Sequence, residues 1–209
     1  MAGIDLERLL LVAGRRRRYA RREVLFHEGD PADALHLILK GRVTVRVATA
    51  LGAAVTLDVL GPGDLVGELA ILEPTGPRGG TATALEPTES VVVAASVVAD
   101  LRRQHPELTD ALLEILTRRN RQLMSRLAEM VSVPADARVL RRLREVADLY
   151  QPDGEGGVVV HLTQDDLAGL AGTTRETVNR VLHREAERGV VELARGAITV
   201  LDPKALTKG

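Results

Sequence analysis

The order of apolar and polar residues divides the chain into a β-rich part and a helical part. Between residues 23 and 95 apolar positions alternate with polar ones, and turn signals such as Gly61-Pro62-Gly63-Asp64 separate the alternating runs. Alternation with period two and regularly spaced turns predicts short antiparallel strands that fold into a roll or sandwich. After Ala95 the period becomes that of a helix.

The longest helical pattern covers residues 106 to about 132. Pro106 suits the first position of a helix, and an apolar seam with spacings of 3, 4, 3, 4 and 3 follows it. The seam consists of Leu113, Leu116, Asn120, Leu123, Leu127 and Met130. This heptad spacing predicts a dimer in which the helix pairs with its copy, and a single Asn in such a seam can fix the register. The alternative is a helix that packs on its own β-domain.

The helical pattern breaks at Val133-Pro134-Ala135, where we predict a domain boundary. Asp136 is predicted to cap the helix that follows the break. We therefore expect a β-roll domain at residues 1–105, the long helix at 106–133 and a second domain at 134–209. The predicted fold class is α+β, with a jelly-roll-like roll followed by helices.

Residues 164–183 fit a helix-turn-helix. Gly172 lies at the turn, where a positive φ is needed, and Val178 and Val181 point back into the core. Two capping boxes, each a Thr followed three residues later by an acid, are predicted to start the helices; they are Thr163 with Asp166 and Thr173 with Glu176. A hairpin around Arg195-Gly196 completes a wing. The alternative is a plain helical hairpin.

The second helix of this motif begins with side chains that suit DNA. In a helix-turn-helix this end enters the major groove. Arg can donate two hydrogen bonds to guanine O6 and N7, and Glu can accept one from cytosine N4. The DNA-contact candidates are Thr163, Thr174, Arg175, Glu176, Asn179 and Arg180.

Composition narrows the functional classes. The absence of Cys excludes disulfides, thiolate zinc sites, cysteine-held iron–sulfur clusters and a Cys nucleophile. The five His show no metal-ligand spacing and nothing resembles a catalytic triad, so we expect neither an enzyme nor a bound metal, haem or other cofactor. No apolar run reaches the roughly 18 residues of a membrane helix, and we expect a cytoplasmic protein without a membrane partner. The net charge is −1, so DNA binding has to come from local arrangement.

Residues 162–188 resemble the winged helix-turn-helix of the cyclic-AMP receptor family of bacterial transcription regulators, also called the catabolite-activator or CRP/FNR family. The string Arg175-Glu176-Thr177-Val178 with Arg180 matches that family's base-reading segment, and the resemblance covers nearly the whole chain. It implies a homodimer on palindromic double-stranded DNA, with Arg175, Glu176 and Arg180 reading a TGTGA-like half-site and Thr163 contacting phosphate. It also implies contact with RNA polymerase through residues 151–157 if the protein is an activator.

The same resemblance implies a cyclic-nucleotide pocket in the roll. The family's glycine framework is present as Gly29-Asp30, Gly41, Gly63-Asp64 and Gly67-Glu68-Leu69. Arg78 is the one basic residue between Arg46 and Arg102, an interval with seven acids, and a lone guanidinium there suits a phosphate. By resemblance Glu68 holds a ribose hydroxyl and Arg78 the cyclic phosphate. The candidate pocket residues are Gly67, Glu68, Leu69, Arg78, Gly79, Leu123 and Met124. The alternative is a loop in which Arg78 pairs with Glu68.

Two departures from the family pattern leave the effector open. Gly79 follows Arg78 where relatives usually have Ser or Thr, and Leu123 and Met124 stand where a Thr-Ser pair recognises adenine. There are three alternatives. The pocket binds cyclic AMP or another cyclic nucleotide and holds it mainly by packing, it binds a changed ligand, or it is vestigial and the protein binds DNA without a ligand. A module that binds cyclic nucleotide for a protein partner is a different class, and it leaves Arg175, Glu176 and Arg180 unexplained.

Overall fold

The structure is a computed structural model that describes residues 6–50, 52–68, 76–150 and 157–207. The N-terminal part is built from short strands. Its elements are α1 (Leu6–Ala13), β1 (Arg15–Tyr19), β2 (Val24–Phe26), β3 (Ala34–Lys40), β4 (Val43–Ala48), β5 (Ala54–Leu60), β6 (Leu65–Val66), β7 (Thr81–Ala84) and β8 (Thr88–Ala94).

The rest of the described chain is mainly helical. Its elements are α2 (Ala95–Gln104), α3 (Glu107–Ser132), α4 (Ala135–Asp148), β9 (Val158–Val160), α5 (Gln164–Ala171), α6 (Arg175–Glu187), β10 (Val191–Ala194), β11 (Ala197–Val200) and a 3₁₀ turn at Ala205–Thr207. The predicted α+β class is confirmed, and the change from strand to helix falls at Ala95 as the periodicity indicated.

The N-terminal strands form two antiparallel sheets with the orders β1-β8-β3-β6 and β2-β7-β4-β5. In the first sheet Leu35 lies opposite Val93 and Leu37 opposite Val91. All four side chains are buried in one cluster, because alternate residues of a strand face the same side of a sheet. Further apolar residues from the helices complete this cluster, namely Leu10, Val98, Leu108 and Leu112. Burial of each of these large side chains stabilises the fold by about 1.5–3 kcal/mol.

The chain divides into two compact units. Unit 1 contains Met1–Ala48 and Leu60–Arg126, and unit 2 contains Thr49–Val59 and Leu127–Gly209. In unit 2, α4 packs against α5 and α6, and the wing is an antiparallel sheet with the order β10-β11-β9. Val178 and Val181 of α6 are fully buried, as predicted.

The turn between α5 and α6 is closed by backbone geometry. Gly172 has a φ of 58°, in the left-handed region, which confirms its predicted role. The capping box of Thr163 and Asp166 is also confirmed, with both of its hydrogen bonds present. The prediction of Thr173 as the second cap is wrong: Thr174 caps α6 and accepts from the Thr177 N–H. The Thr173 N–H donates to the Ala168 carbonyl, so Thr173 belongs to the end of α5.

The predicted cap of α4 is also wrong. Pro134 is the N-cap, with an extended ψ of 146° and no side-chain hydrogen bond. The helix therefore begins one residue before Asp136, which lies inside the first turn. Its carboxylate is free of the capping role and binds side chains of α6 instead.

Gly169 of α5 is packed closely against a neighbouring backbone. A Cβ at Gly169 would lie 2.7 Å from the backbone nitrogen of Thr56, which also belongs to unit 2. The Thr56 hydroxyl donates to the Asp166 carboxylate at 2.7 Å, and both residues are buried. Any larger residue at position 169 would have to displace this backbone.

Candidate functional site

The start of α6 presents the predicted DNA-contact residues to solvent. Thr174, Arg175, Glu176, Asn179 and Arg180 are all exposed. The pKa of the Glu176 carboxyl is lowered because it accepts from its own backbone N–H and from the Thr174 side chain. Glu176 is therefore ionised and can accept a hydrogen bond, while the two Arg side chains of this end can donate. The set has the donors and acceptor that base recognition in the major groove requires.

Neighbouring polar groups hold several of these side chains. The Arg175 guanidinium lies 3.6 Å from the Asp165 carboxylate, and the Asn179 amide donates to Gln164 at 3.3 Å. The Thr163 hydroxyl accepts from the Asp166 N–H and donates to the Asp166 carboxylate. The first two contacts join the first turn of α5 to the exposed face of α6, and the third lies at the start of α5.

Asp136, which the sequence pattern predicted to be a helix cap, is instead a polar group of this surface. Its carboxylate accepts from both terminal nitrogens of Arg180, at 2.7 and 3.0 Å, and from Nη1 of Arg184 at 2.9 Å. The hydrogen bond from Arg180, followed by that from Arg184, lowers the pKa of Asp136. The spacing of residues in the sequence does not predict this contact, because Asp136 and Arg180 are 44 positions apart.

Arg138 is a second polar group that sequence reasoning missed. Its guanidinium donates to the carbonyls of Ala171, Gly172 and Val133 at 2.8, 3.0 and 2.6 Å. Two of these carbonyls end α5, where a cation is favourable because it satisfies free acceptors and opposes the helix dipole. Arg138 thus ties the end of α5 to the break between α3 and α4.

Arg78 lies inside unit 1 and is only 4% exposed. Its Nη1 donates to the Ala34 carbonyl at 2.7 Å and its Nη2 to the Asp33 carboxylate at 3.1 Å. The guanidinium carbon stands 4.1 Å from the centre of the Phe26 ring, a distance at which cation and ring attract. Burial lowers the pKa of Arg78 and the Asp33 carboxylate opposes that shift.

Gly67 and Glu68 border Arg78. A Cβ at Gly67 would lie 2.3 Å from Nη1 of Arg78, and its φ of 79° also favours glycine. Glu68 pairs with Arg119 of α3 at 2.7 Å. The alternative prediction, in which Glu68 is the partner of Arg78, is therefore wrong: Arg78 pairs with Asp33.

The other pocket candidates differ in whether the structure describes them and in where they lie. Gly79 is exposed beside Arg78, and Leu123 and Met124 are exposed on α3. Leu69 and residues 151–156, which include most of the predicted polymerase contact, lie outside the described residues.

Most of the predicted seam of α3 lies open. The exposed members are Leu113, Asn120, Leu123, Leu127 and Met130, and Leu116 is half-buried. The buried residues of α3 are Leu108 and Leu112, both near its start. Leu113, Leu123, Leu127 and Met130 are between 45% and 63% exposed. A single exposed Leu is ordinary, but a continuous row of large apolar side chains is typical of a surface that a partner covers.

Among the described residues no group of three or more His, Asp or Glu side chains is arranged to hold a metal ion. In the same parts of the chain, no helix combines the length and the apolar character needed to cross a membrane.

Known proteins are similar to both halves of the chain. The model of the cyclic nucleotide-binding domain matches residues 16–105, and that of the Crp-like helix-turn-helix domain matches residues 137–208. A "CRP-like cAMP-activated global transcriptional regulator" of Mycobacterium tuberculosis is 33% identical over 193 residues, which cover 91% of this chain and 85% of that protein. A "Cyclic AMP receptor protein" of Thermus thermophilus is 35% identical over 196 residues, with coverage of 91% and 86%.

The fold has solved counterparts. A transcriptional regulator of the CRP/FNR family from Thermus thermophilus superposes with a TM-score of 0.75 at 25% identity, and the match covers 93% of this chain and 97% of that one. A catabolite activator protein from the same organism matches with a TM-score of 0.55 at 33% identity, with coverage of 98% and 93%.

Proposed function

Because the chain belongs to the cyclic-AMP receptor family of DNA-binding transcription regulators, we propose that it acts as a homodimer on a palindromic DNA site under the control of a small effector in unit 1. The observation that carries the proposal is the exposed group of Arg175, Glu176 and Arg180 at the capped start of α6. The family is one of regulators and not of enzymes.

The open seam of α3 supports the homodimer. A two-fold dimer brings two recognition helices to half-sites one DNA turn apart, roughly 34 Å, and an interface formed from the same residues of both copies satisfies that symmetry. By the resemblance of the segment from Arg175 to Arg180, the proposed half-site is TGTGA-like. Contact with RNA polymerase through residues 151–157 is part of the proposal for an activator and rests on the resemblance alone.

Arg180→Ala is expected to weaken binding to the preferred half-site by about 1–3 kcal/mol and to relax the preference at one base pair. The reason is that the side chain supplies two donors to a single base. The measurement is affinity for a site obtained by selection from random DNA and for each of its single-base variants.

Arg195→Ala is the matched control for this experiment, because the wing is expected to contact only the DNA backbone. It should weaken binding to all sequences by a similar factor. A uniform loss in Arg180→Ala as well would contradict the base-reading role of Arg180.

The effector we propose is a cyclic nucleotide, and two observations support it. The curated relatives are named for cyclic AMP, and the Arg78 guanidinium and the Gly67 backbone meet at one place. Leu123 and Met124 offer the base only apolar contact, so we propose that packing, rather than hydrogen bonds from these positions, holds it.

Calorimetry with cyclic AMP and cyclic GMP tests the effector. Heat of binding is expected for the native chain and should be lost in Arg78→Ala, because the phosphate loses its charged partner. Arg103→Ala removes the same charge from an exposed position on α2 and should bind as the native chain does. Thermal unfolding of each variant establishes that it is folded. If the native chain releases no heat with either nucleotide, this effector class is wrong.

A second candidate function is DNA binding without an effector. The observation that favours it is that Arg78 already has Asp33 and the Ala34 carbonyl as partners, so the buried charge is compensated by the protein itself. DNA affinity with and without nucleotide separates the two candidates: equal affinities support the second, and a difference supports effector control.

A further inference from the structure

The ion-pair cluster formed by Asp136, Arg180 and Arg184, which we call the Asp136 cluster, joins two elements of unit 2. Asp136 lies in the first turn of α4, and the two Arg side chains lie four residues apart on α6. Residues with this spacing share one face of a helix. The carboxylate therefore faces the same side of α6 as the proposed base-reading Arg180.

The geometry of the pair determines which part of Arg180 stays available. Asp136 accepts from Nη1 and Nη2, the two nitrogens at the tip of the guanidinium. A planar guanidinium has a second fork, formed by Nε and one terminal nitrogen, because it carries five N–H donors. This second fork has the two parallel donors that match guanine O6 and N7.

The position of the Asp136 cluster lets it affect DNA recognition more than the stability of the fold. The Arg180 side chain is 61% exposed, and exposed ion pairs contribute little to stability, because solvent screens them. Arg184 binds the same carboxylate, so two Arg side chains restrain Asp136. Three ionised groups together carry a single positive charge, which reduces the attraction of this surface for phosphate.

We propose that Asp136 is a positioning residue that sets the sequence specificity of Arg180. It holds the guanidinium with one fork turned toward the base and keeps the same side chain away from the DNA phosphates. A phosphate is present at every position of any DNA, whereas two acceptors in guanine geometry are present only at the right base pair. An Arg that is free to move reaches the phosphates, and binding gains affinity without sequence information. This role rests on the proposed function.

Asp136→Asn is the test, because it keeps the shape of the side chain and removes its charge. Discrimination at the base pair read by Arg180 is expected to be about 5- to 150-fold in the native chain, and we expect it to fall at least threefold in the variant. Affinity for random DNA should rise by about three- to tenfold, and the slope of log affinity against log salt should steepen by about 0.9 for each subunit.

Asp148→Asn is the matched control, since Asp148 ends the same helix and pairs with Arg144 at 2.7 Å. It removes the same charge and should leave base discrimination unchanged. A double-mutant cycle distinguishes positioning of Arg180 from a general structural role. If Asp136 acts through Arg180, Asp136→Asn should have no further effect on discrimination in an Arg180→Ala background.

The outcomes separate this proposal from the proposed function. If the native chain prefers no DNA sequence, the proposed function fails, and the role of Asp136 fails with it. If the native chain is selective and Asp136→Asn keeps both its discrimination and its salt slope, only the role of Asp136 is wrong. The same holds if the variant loses affinity equally for operator and random DNA.

Discussion

Leu123→Glu combined with Leu127→Glu is expected to convert the protein from a dimer to a monomer and to lower its affinity for a palindromic site by about 100-fold or more. In the proposed dimer the two substitutions bring four carboxylates into an apolar seam, where an unpaired charge is costly to bury. Each monomer then binds a single half-site and loses the gain from simultaneous binding. The measurements are the mass in solution by sedimentation equilibrium and the affinity for the selected site.

Ser125→Glu combined with Ala128→Glu is the control for the added charge. Both residues are exposed on α3 and lie outside the positions of the heptad seam. This variant should remain a dimer and bind DNA as the native chain does. A Leu123→Glu, Leu127→Glu protein of unchanged mass would contradict the interface and favour a helix that serves only its own domain.

Acidification is expected to destabilise unit 1 through His36. This residue is 3% exposed, and burial, followed by the positive charges of Arg78 and Arg17, lowers its pKa from 6.5 to about 4. Its ring nitrogen Nδ1 lies 3.4 Å from the Tyr19 hydroxyl and 3.5 Å from the Ser90 hydroxyl, and both partners are neutral. The folded chain therefore keeps His36 uncharged under conditions where the unfolded chain protonates it.

The direction of the pH effect follows from the proton count. Between pH 6.5 and about 4 the unfolded state binds a proton that the folded state does not, so stability falls as the pH falls through this interval. The effect levels off below the folded pKa, after a loss of about 3 kcal/mol. Above pH 6.5 the residue is neutral in both states and contributes no pH dependence.

Urea unfolding of the native chain, His36→Gln and His183→Gln at pH 7 and pH 4.5 measures the effect. His36→Gln should lose less stability on acidification than the native chain, whatever its stability at pH 7. His183 is exposed on α6, so His183→Gln should behave like the native chain. A titration of the His36 ring by NMR gives the folded pKa directly, and a midpoint near 6.5 would contradict the expected burial effect.

The elements that the sequence predicted well have local causes. Alternation of apolar residues follows from the geometry of a strand, and it predicted the short antiparallel strands between residues 23 and 95. Gly172 needed a left-handed backbone because a tight turn between two helices requires one. The Thr163 box depends on residues three positions apart. In each case the residues that decide the structure are neighbours in the chain.

The candidate site was predicted less completely, because its contacts join distant residues. The predicted DNA-contact residues of α6 lie within seven consecutive positions, and a single motif indicated them. The partners of Arg78 lie 44 and 45 residues away, and the pattern offered Glu68 instead. The spacing of three residues does not show whether Thr173 or Thr174 caps α6. That depends on which of the two residues belongs to the end of α5.

The sequence by itself determined the α+β order of elements, the helix-turn-helix with its candidate DNA-contact residues, and the absence of cysteine chemistry, because each depends on residue types or on spacing within a few turns. Only the tertiary structure decided which charges meet: Asp33 with Arg78, Arg119 with Glu68, and Asp136 with Arg180 and Arg184. Charged side chains are long and their attraction has little directional preference, so their partners are selected by the packing of the elements that carry them.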